Sequence, residues 1–365
     1  MSDIIFVDYD PQKILDDAVK AIEAALGVNL YPGDERRIYL EQLLPIIVGL
    51  KSDINESAKQ NLLRYATGEK LDALGEFWNV TRLAAQKAET VMKFTLSTAM
   101  PSSVRIPAGA RVTPDGTLYF ATVADLTIAP GDLSGEILAR STEGGQKYNG
   151  FAAEKITTMV DPAGFVLTAK NITVSAGGTN EEEDDRYRER IRLAPESIST
   201  AGPRGAYEFW AKTASPDISA VSVTSPEPGE VVISVLLQDG AMPDEQLLER
   251  VSAVLNDERR RPLTDHVTVR APNQVEYAIE FEYYISLDNQ TSESIIRLAV
   301  DAAVTEYIDW QRSQLGRAIN PDYLRKLVLE AGAYRIEMIA PEYTAIAQTE
   351  VAVLAGKTVT YGGLV

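Results

Sequence analysis

Over residues 11–78 apolar side chains recur at steps of three and four, the period of an amphipathic helix. Asp10-Pro11 puts an N-cap before a proline at the first helical position; Ile14, Leu15, Ala18, Val19, Ile22 and Leu26 follow, and Gly27 closes the element. A second run starts near Asp34. Leu40, Leu43, Ile47, Leu50 and Ile54 alternate in steps of three and four, as the seam of a coiled coil does, and the stripe drifts on to Ala58, Leu62 and Tyr65. Residues 34–66 as one helix would be roughly 50 Å long at 1.5 Å per residue, with Pro45 expected to kink or divide it. A third helix is expected over 68–78, with Leu71, Leu74 and Phe77 on one face. Such a set can pack on its own body as a bundle, or it can offer a seam to a partner helix. A long helix near a chain end with one short amphipathic neighbour has little in cis to cover it, but the periodicity is the same in both cases.

From Glu89 the period changes to two. Met92, Phe94 and Leu96 alternate with Lys93 and Thr95, as in a half-buried strand. Turn signals then punctuate short strands: Pro107-Ala108-Gly109, Asp115-Gly116, Pro130-Gly131, Gly144-Gly145 and, after a strand over 167–174, Gly177-Gly178. Many short strands with regular turns predict a β-sandwich-like domain or a small barrel over about 85–180. The acid run Glu181, Glu182, Glu183, Asp184, Asp185 looks at first like a metal cluster. It lacks the alternate spacing and glycine of an EF-hand, and it reads better as the start of a solvated helix whose Arg186, Arg188, Arg190 and Arg192 pair with acids one turn away.

The second half alternates helix and strand. Beyond a hinge at Ala201-Gly202-Pro203, a helix over 204–213, strands over 218–224 and 231–237, a helix over 243–259 and a strand over 264–270 make an α-β-β-α-β order close to a split βαβ unit. A strand over 277–287, a helix over 294–311 with Ile295, Leu298, Ala302, Thr305 and Ile308 inward, a helix capped by Asn320-Pro321, and strands over 333–339 and 350–354 make a second unit. The expected fold is therefore α+β and multidomain: an N-terminal helical segment 1–84, a β-rich domain 85–180, and two small α/β domains, 181–272 and 273–365.

Composition narrows the chemistry. At 365 residues the chain is too long for one core. Its 53 acidic against 35 basic side chains leave a net charge of −18, a poor match to a phosphate backbone or an anionic membrane surface. Cysteine is absent and His266 is the single histidine, which removes thiol nucleophiles, most zinc ligand sets and any triad not built on that residue. No Walker A, GxGxxG or GxSxG motif is present, so no cofactor is expected. The opening MSDIIFVDYD lacks a signal pattern, and no apolar run approaches the ~20 residues that span a bilayer; synthesis and folding in a cytoplasm are expected, with no nucleic acid and no membrane insertion. Arg259-Arg260-Arg261 is the sharpest basic cluster, either a helix C-terminus favoured by the macrodipole or a dock for an acidic surface.

Four stretches, taken in order, resemble the baseplate J-like family of contractile phage tails and related particles. They are TGEKLDALGEFWNVTRLAAQKAETVMKFTL; VRIPAGARVTPDGTLYFAT; the pair GGQKYNGFAAEKI and AKNITVSAGGTNEEEDDRYRERI; and GPRGAYEFWAKTASPDISAVSV with RPLTDHVTVRAPNQVEYAI. Lys147-Tyr148 between the glycine pair and Asn149 is a small departure in spacing. The resemblance spans roughly residues 60 to 355 and rests on the order of the motifs, since PAG and DG alone are common turns. It implies a structural wedge subunit that forms a ring around the tail hub and transmits the trigger for sheath contraction. It also implies partners: a second wedge protein of the tail protein I kind, further copies of the same chain, and hub, spike and sheath-initiating proteins. Candidate partner-binding residues are Leu40, Leu43, Ile47, Leu50, Ile54 and Leu62 of the seam, with Arg259, Arg260 and Arg261. Two other classes compete. A glycan hydrolase would need a carboxylate pair in a cleft. A receptor- or carbohydrate-binding tail protein would ordinarily show repeats, and none is visible.

Overall fold

A computed structural model describes residues 3–199, 202–257, 260–262 and 264–365. The chain divides into two compact units, Met1–Thr81 and Arg82–Val365.

The first unit is helical. Helix α1, Pro11–Leu26, starts where the Asp10 carboxylate accepts the Gln12 and Lys13 amides, and it stops at Gly27 with φ of 66°. Helix α2, Glu35–Lys59, is capped by Asp34 and runs unbroken across Pro45. Proline removes one hydrogen bond there without ending the element. The single helix expected to reach residue 66 ends at Lys59 instead. The Gln60 side chain explains the stop: its amide donates to the Tyr65 carbonyl at 3.3 Å and accepts the Thr67 amide at 3.0 Å, which folds the chain back on itself. Helix α3, Gly68–Glu76, buries Leu71 and half-buries Leu74, while Phe77, expected on the same face, lies just past its end and is exposed.

The second unit opens with eight strands: β1 Glu89–Leu96, β2 Val104–Ile106, β3 Arg111–Thr113, β4 Phe120–Thr122, β5 Leu126–Ile128, β6 Ser134–Ser141, β7 Thr158–Met159 and β8 Val166–Asn171. Six of them form one sheet in the order β7-β3-β4-β6-β1-β8, and β2 pairs with β5 beside it. The edge strands β7 and β8 touch, so the sheet curls into a near-barrel, the second of the two expected shapes. Phe94, Ile106, Phe120, Tyr148 and Ile156 fill it.

Helices α4, Asp184–Leu193, and α5, Arg204–Thr213, lead to strands β9 Ile218–Thr224 and β10 Glu230–Leu237, helix α6 Glu245–Leu255 and strand β11 His266–Arg270. β10 is central, antiparallel to β9 and parallel to β11. Two expectations are corrected. α6 ends at Leu255, not at residue 259, because Asn256 leaves the helical conformation. α4 is not a solvated helix: Tyr187, Arg188, Arg190 and Ile191 are buried, and Arg190 pairs with Glu182, which precedes the helix. Ala201, within the expected hinge, lies outside the described residues.

The chain ends with β12 Asn273–Ile285, α7 Glu293–Arg312, α8 Pro321–Glu330, β13 Arg335–Ala340 and β14 Glu350–Leu364, in sheet order β13-β12-β14. β14 pairs in parallel with the whole of β12 and reaches Leu364, ten residues past its expected end at 354. Three glycines, Gly356, Gly362 and Gly363, hide its period in sequence, and the partner strand holds it extended. α7 is rotated from expectation. Ile296, Val300, Ala303, Val304 and Tyr307 enter the core, whereas Ile295 and Leu298 are 68% and 71% exposed, Ala302 and Thr305 are exposed, and Ile308 is half-buried. This helix is apolar on two faces, and packing against α8 and the C-terminal sheet selects one.

Candidate interaction surface

Helix α2 carries two apolar stripes. Residues three and four apart share a helix face. Leu40 and Leu44 lie on one stripe and pack on Leu15, Val19 and Leu30. Farther along that side, Asn55 is buried and its amide gathers the N-terminal segment. Its carbonyl oxygen accepts the Phe6 and Val7 amides at 2.7 and 2.9 Å, and its NH2 donates to the Val7 carbonyl at 2.6 Å.

The second stripe is open. Ile46, Leu50 and Ile54 are 61%, 59% and 51% exposed, and Tyr39 extends the same side. Leu43 and Ile47 are half-buried between the two stripes. The expected seam is thus divided: Leu40 is used within the unit, Leu43 and Ile47 sit at its margin, and Leu50 and Ile54 face outward. Leu62 lies beyond α2, half-buried in the turn that follows. The sequence reading missed Tyr39 and Ile46, which the strict seam spacing skips, and Asn55, whose polar side chain gives no periodic signal. It also passed over Ile4, Ile5, Phe6 and Tyr9, apolar residues close together in the sequence that the structure leaves exposed.

Ion pairs rim this unit. The Arg36 guanidinium and the Arg36 amide hold the Asp34 carboxyl down to about 2. Lys59 beside Asp3 and Lys13 beside Asp8 likewise keep those carboxyls below the usual range.

Of the arginine cluster, Arg260 and Arg261 are engaged within the chain. Arg260 donates to the Val254 carbonyl at 3.2 Å, stacks on Trp210 at 4.1 Å, and lies 3.8 Å from the Asp257 carboxylate. Arg261 donates to the Asp265 carbonyl. Arg259 lies outside the described residues. Because α6 has already ended, Arg260 reaches back to its last turn instead of extending it. His266 is exposed at the start of β11. Among the described residues no group of three or more His, Asp or Glu side chains could hold a metal ion, and no helix is long and apolar enough to cross a membrane.

Comparison with known proteins finds four matching family models: the baseplate J-like N-terminal domain over residues 47–89, the barrel domain over 91–178, the central domain over 199–271 and the C-terminal domain over 277–362. Baseplate protein J of Escherichia phage P2 is 37% identical over 177 residues, which is 48% of this chain and 58% of that protein. The matched region therefore spans little more than half the length of the P2 protein. Among solved structures, a chain of the anti-feeding prophage baseplate, determined by cryo-EM with six-fold symmetry, superposes with a TM-score of 0.48 at 12% identity and covers 94% of this chain and 90% of that one.

Proposed function

We propose that this chain, which belongs to the baseplate J-like family, is a structural, non-enzymatic subunit of the baseplate of a contractile tail or tail-like injection particle. In this reading it is a wedge subunit: it forms part of the ring around the hub, pairs through residues 1–84 with a second wedge protein of the tail protein I kind, and meets other copies and the hub, spike and sheath-initiating proteins through the rest of its surface. The ring's rearrangement would then release the sheath. The particle would be assembled in a bacterial cytoplasm.

The open stripe of α2 carries the reading. A monomeric soluble protein rarely leaves a row such as Ile46, Leu50 and Ile54 uncovered on a long helix. A helix of 25 residues offers roughly 37 Å of such surface at 1.5 Å per residue, enough for a partner helix to pack seam to seam. Supporting it are the four family matches in chain order and the kinship with phage P2 baseplate protein J.

The test is co-expression of the chain with the neighbouring tail proteins, read by size-exclusion chromatography and electron microscopy. The wild type is expected in a larger particle, and Leu50→Asp with Ile54→Asp is expected to leave the chain folded and alone. A double variant that still assembles removes α2 from the interface. A wild-type chain that ignores every tail neighbour removes the baseplate role.

A further inference from the structure

The sheet of β9, β10 and β11 ends at β9, and beside that edge lies a cavity of about 520 Å³. Residues 219–223 all line it. Successive side chains of a strand point to opposite faces, so a cavity that touches five consecutive residues runs along the strand's edge, where main-chain N–H and C=O groups point outward. Among the described residues, none of 219–223 makes a main-chain hydrogen bond outside its own sheet. Helix α5 forms one wall, and Ser313, Gln314, Leu315 and Arg317 with Gln348 form the other.

Free edges are ordinarily guarded by charge, proline or bulges. β9 reads ISAVSVT, with no charge and no proline, and its pairing with β10 shifts register once, beside Ser219 at one end of the lining stretch. The C-terminal sheet guards its edges with charge: β13 carries Arg335 and Glu337, and β14 carries Lys357. The edge of β9 is β-branched, uncharged and open within a groove, which is the form of a strand acceptor.

The groove's electrostatics select the incoming strand. Lys212, itself buried, binds both Glu189 at 3.3 Å and Glu208 at 3.0 Å and so offsets the carboxylates present. Arg204 is exposed on the same wall, and Arg317 on the other wall bonds the neutral oxygens of Trp310, Ser313 and Gln314. In a chain of net charge −18, the lining holds three cations (Arg204, Lys212, Arg317) against two carboxylates (Glu189, Glu208).

We propose that the edge of β9 accepts an extended segment of another polypeptide as a fourth strand, with a carboxylate of that segment directed at Arg204 and Arg317. Five residues at about 3.3 Å each give a pairing length of roughly 16 Å. The inference stands apart from the baseplate role, since an edge reads main chain and charge whatever particle the chain belongs to.

The probe is a synthetic strand, acetyl-Glu-Thr-Val-Thr-Val-Thr-Glu-amide, added at low millimolar concentration to the full chain. Binding is read by fluorescence anisotropy of a labelled copy and by amide hydrogen exchange. Slowed exchange at alternate amides within 219–223 is expected, with binding at least about tenfold weaker for a peptide N-methylated at both valines, which loses its main-chain donors. Gln-ended peptide, and Arg204→Glu with the Glu-ended peptide, are each expected to bind about threefold more weakly. Three results overturn the proposal: no protection within 219–223, equal binding of the N-methylated peptide, or protection in the free chain that disappears on dilution, which would make a second copy the occupant.

Discussion

Arg190 grips Glu182 through two parallel hydrogen bonds of 2.7 Å, with the two side chains 3% and 2% exposed. Glu182 also accepts the Leu83 amide at 3.0 Å, and Arg82 donates to the Glu182 carbonyl at 2.7 Å and to Asp184 at 2.7 Å. The Tyr187 ring lies against both guanidiniums, 4.8 Å from Arg82 and 5.6 Å from Arg190. Residues from two of the segments that carry the family resemblance thus meet in one buried knot, which ties the start of the second unit to the first turn of α4.

Breaking that knot is expected to be severe. Removing one partner strands the other charge away from water, which costs about 3–5 kcal/mol. Glu182→Gln and Arg190→Met should each lose that much in chemical unfolding. Lys93→Met, which removes half of the part-exposed pair with Glu136, should shift stability by less than about 1 kcal/mol. Similar losses at both sites would mean that the buried pair is not special.

Gly178 has no room for a side chain: a Cβ there would lie 2.5 Å from the Gly145 carbonyl oxygen and 2.9 Å from Asn149 Oδ1. Asn149 accepts the Gly178 amide at 2.8 Å and donates to its carbonyl at 2.7 Å, so the backbones cannot part cheaply. Gly178→Ala should destabilise by about 1–3 kcal/mol, measured by thermal unfolding. Gly150→Ala, where no described residue crowds the site but φ is +82°, should lose only the smaller strain of a left-handed backbone, about 1 kcal/mol.

Ser234, at the centre of β10, is fully buried, and its hydroxyl has no hydrogen-bond partner among the described residues. Removing an unsatisfied buried polar group is favourable. Ser234→Ala is expected to match or exceed the wild type by up to about 1 kcal/mol in denaturant midpoint at unchanged slope. A clear loss would reveal a partner for the hydroxyl.

Acid should weaken the fold over a defined range. Asp161 is held down to about 2 by the Arg111 side chain and amide, and Asp34 to about 2 by Arg36. A depressed carboxyl contributes stability that is fully present above its unfolded value of 3.8 and is lost as pH falls through the folded one. Unfolding curves should therefore be flat in these groups from pH 7 to about 5 and fall between about 4 and 2. The gap between wild type and Asp161→Asn should close across that interval. A gap that persists at pH 2 would assign the difference to packing.

Element type and order were legible where local signals agree. Asp10-Pro11 and Gly27 bracket α1 as expected, and the period of two marks β1. The candidate surface was half legible. The spacing put Leu40, Leu50 and Ile54 on one seam, whereas Leu40 packs on α1 and Leu50 and Ile54 are exposed. On α7 the same ambiguity reversed the face, because Ile295 and Leu298 have the spacing of a core stripe and yet lie outside.

Local chemistry along the chain determined the helices, the strands, the turns and the lack of cysteine-based chemistry, because capping, alternation and side-chain inventory act within a few residues. Tertiary structure alone decided which apolar stripe is covered, that Glu182 and Arg190 share a buried bond, how far β14 extends, and which sheet edge stays open. Periodicity states that a face is apolar; what covers that face depends on elements brought together from distant parts of the chain.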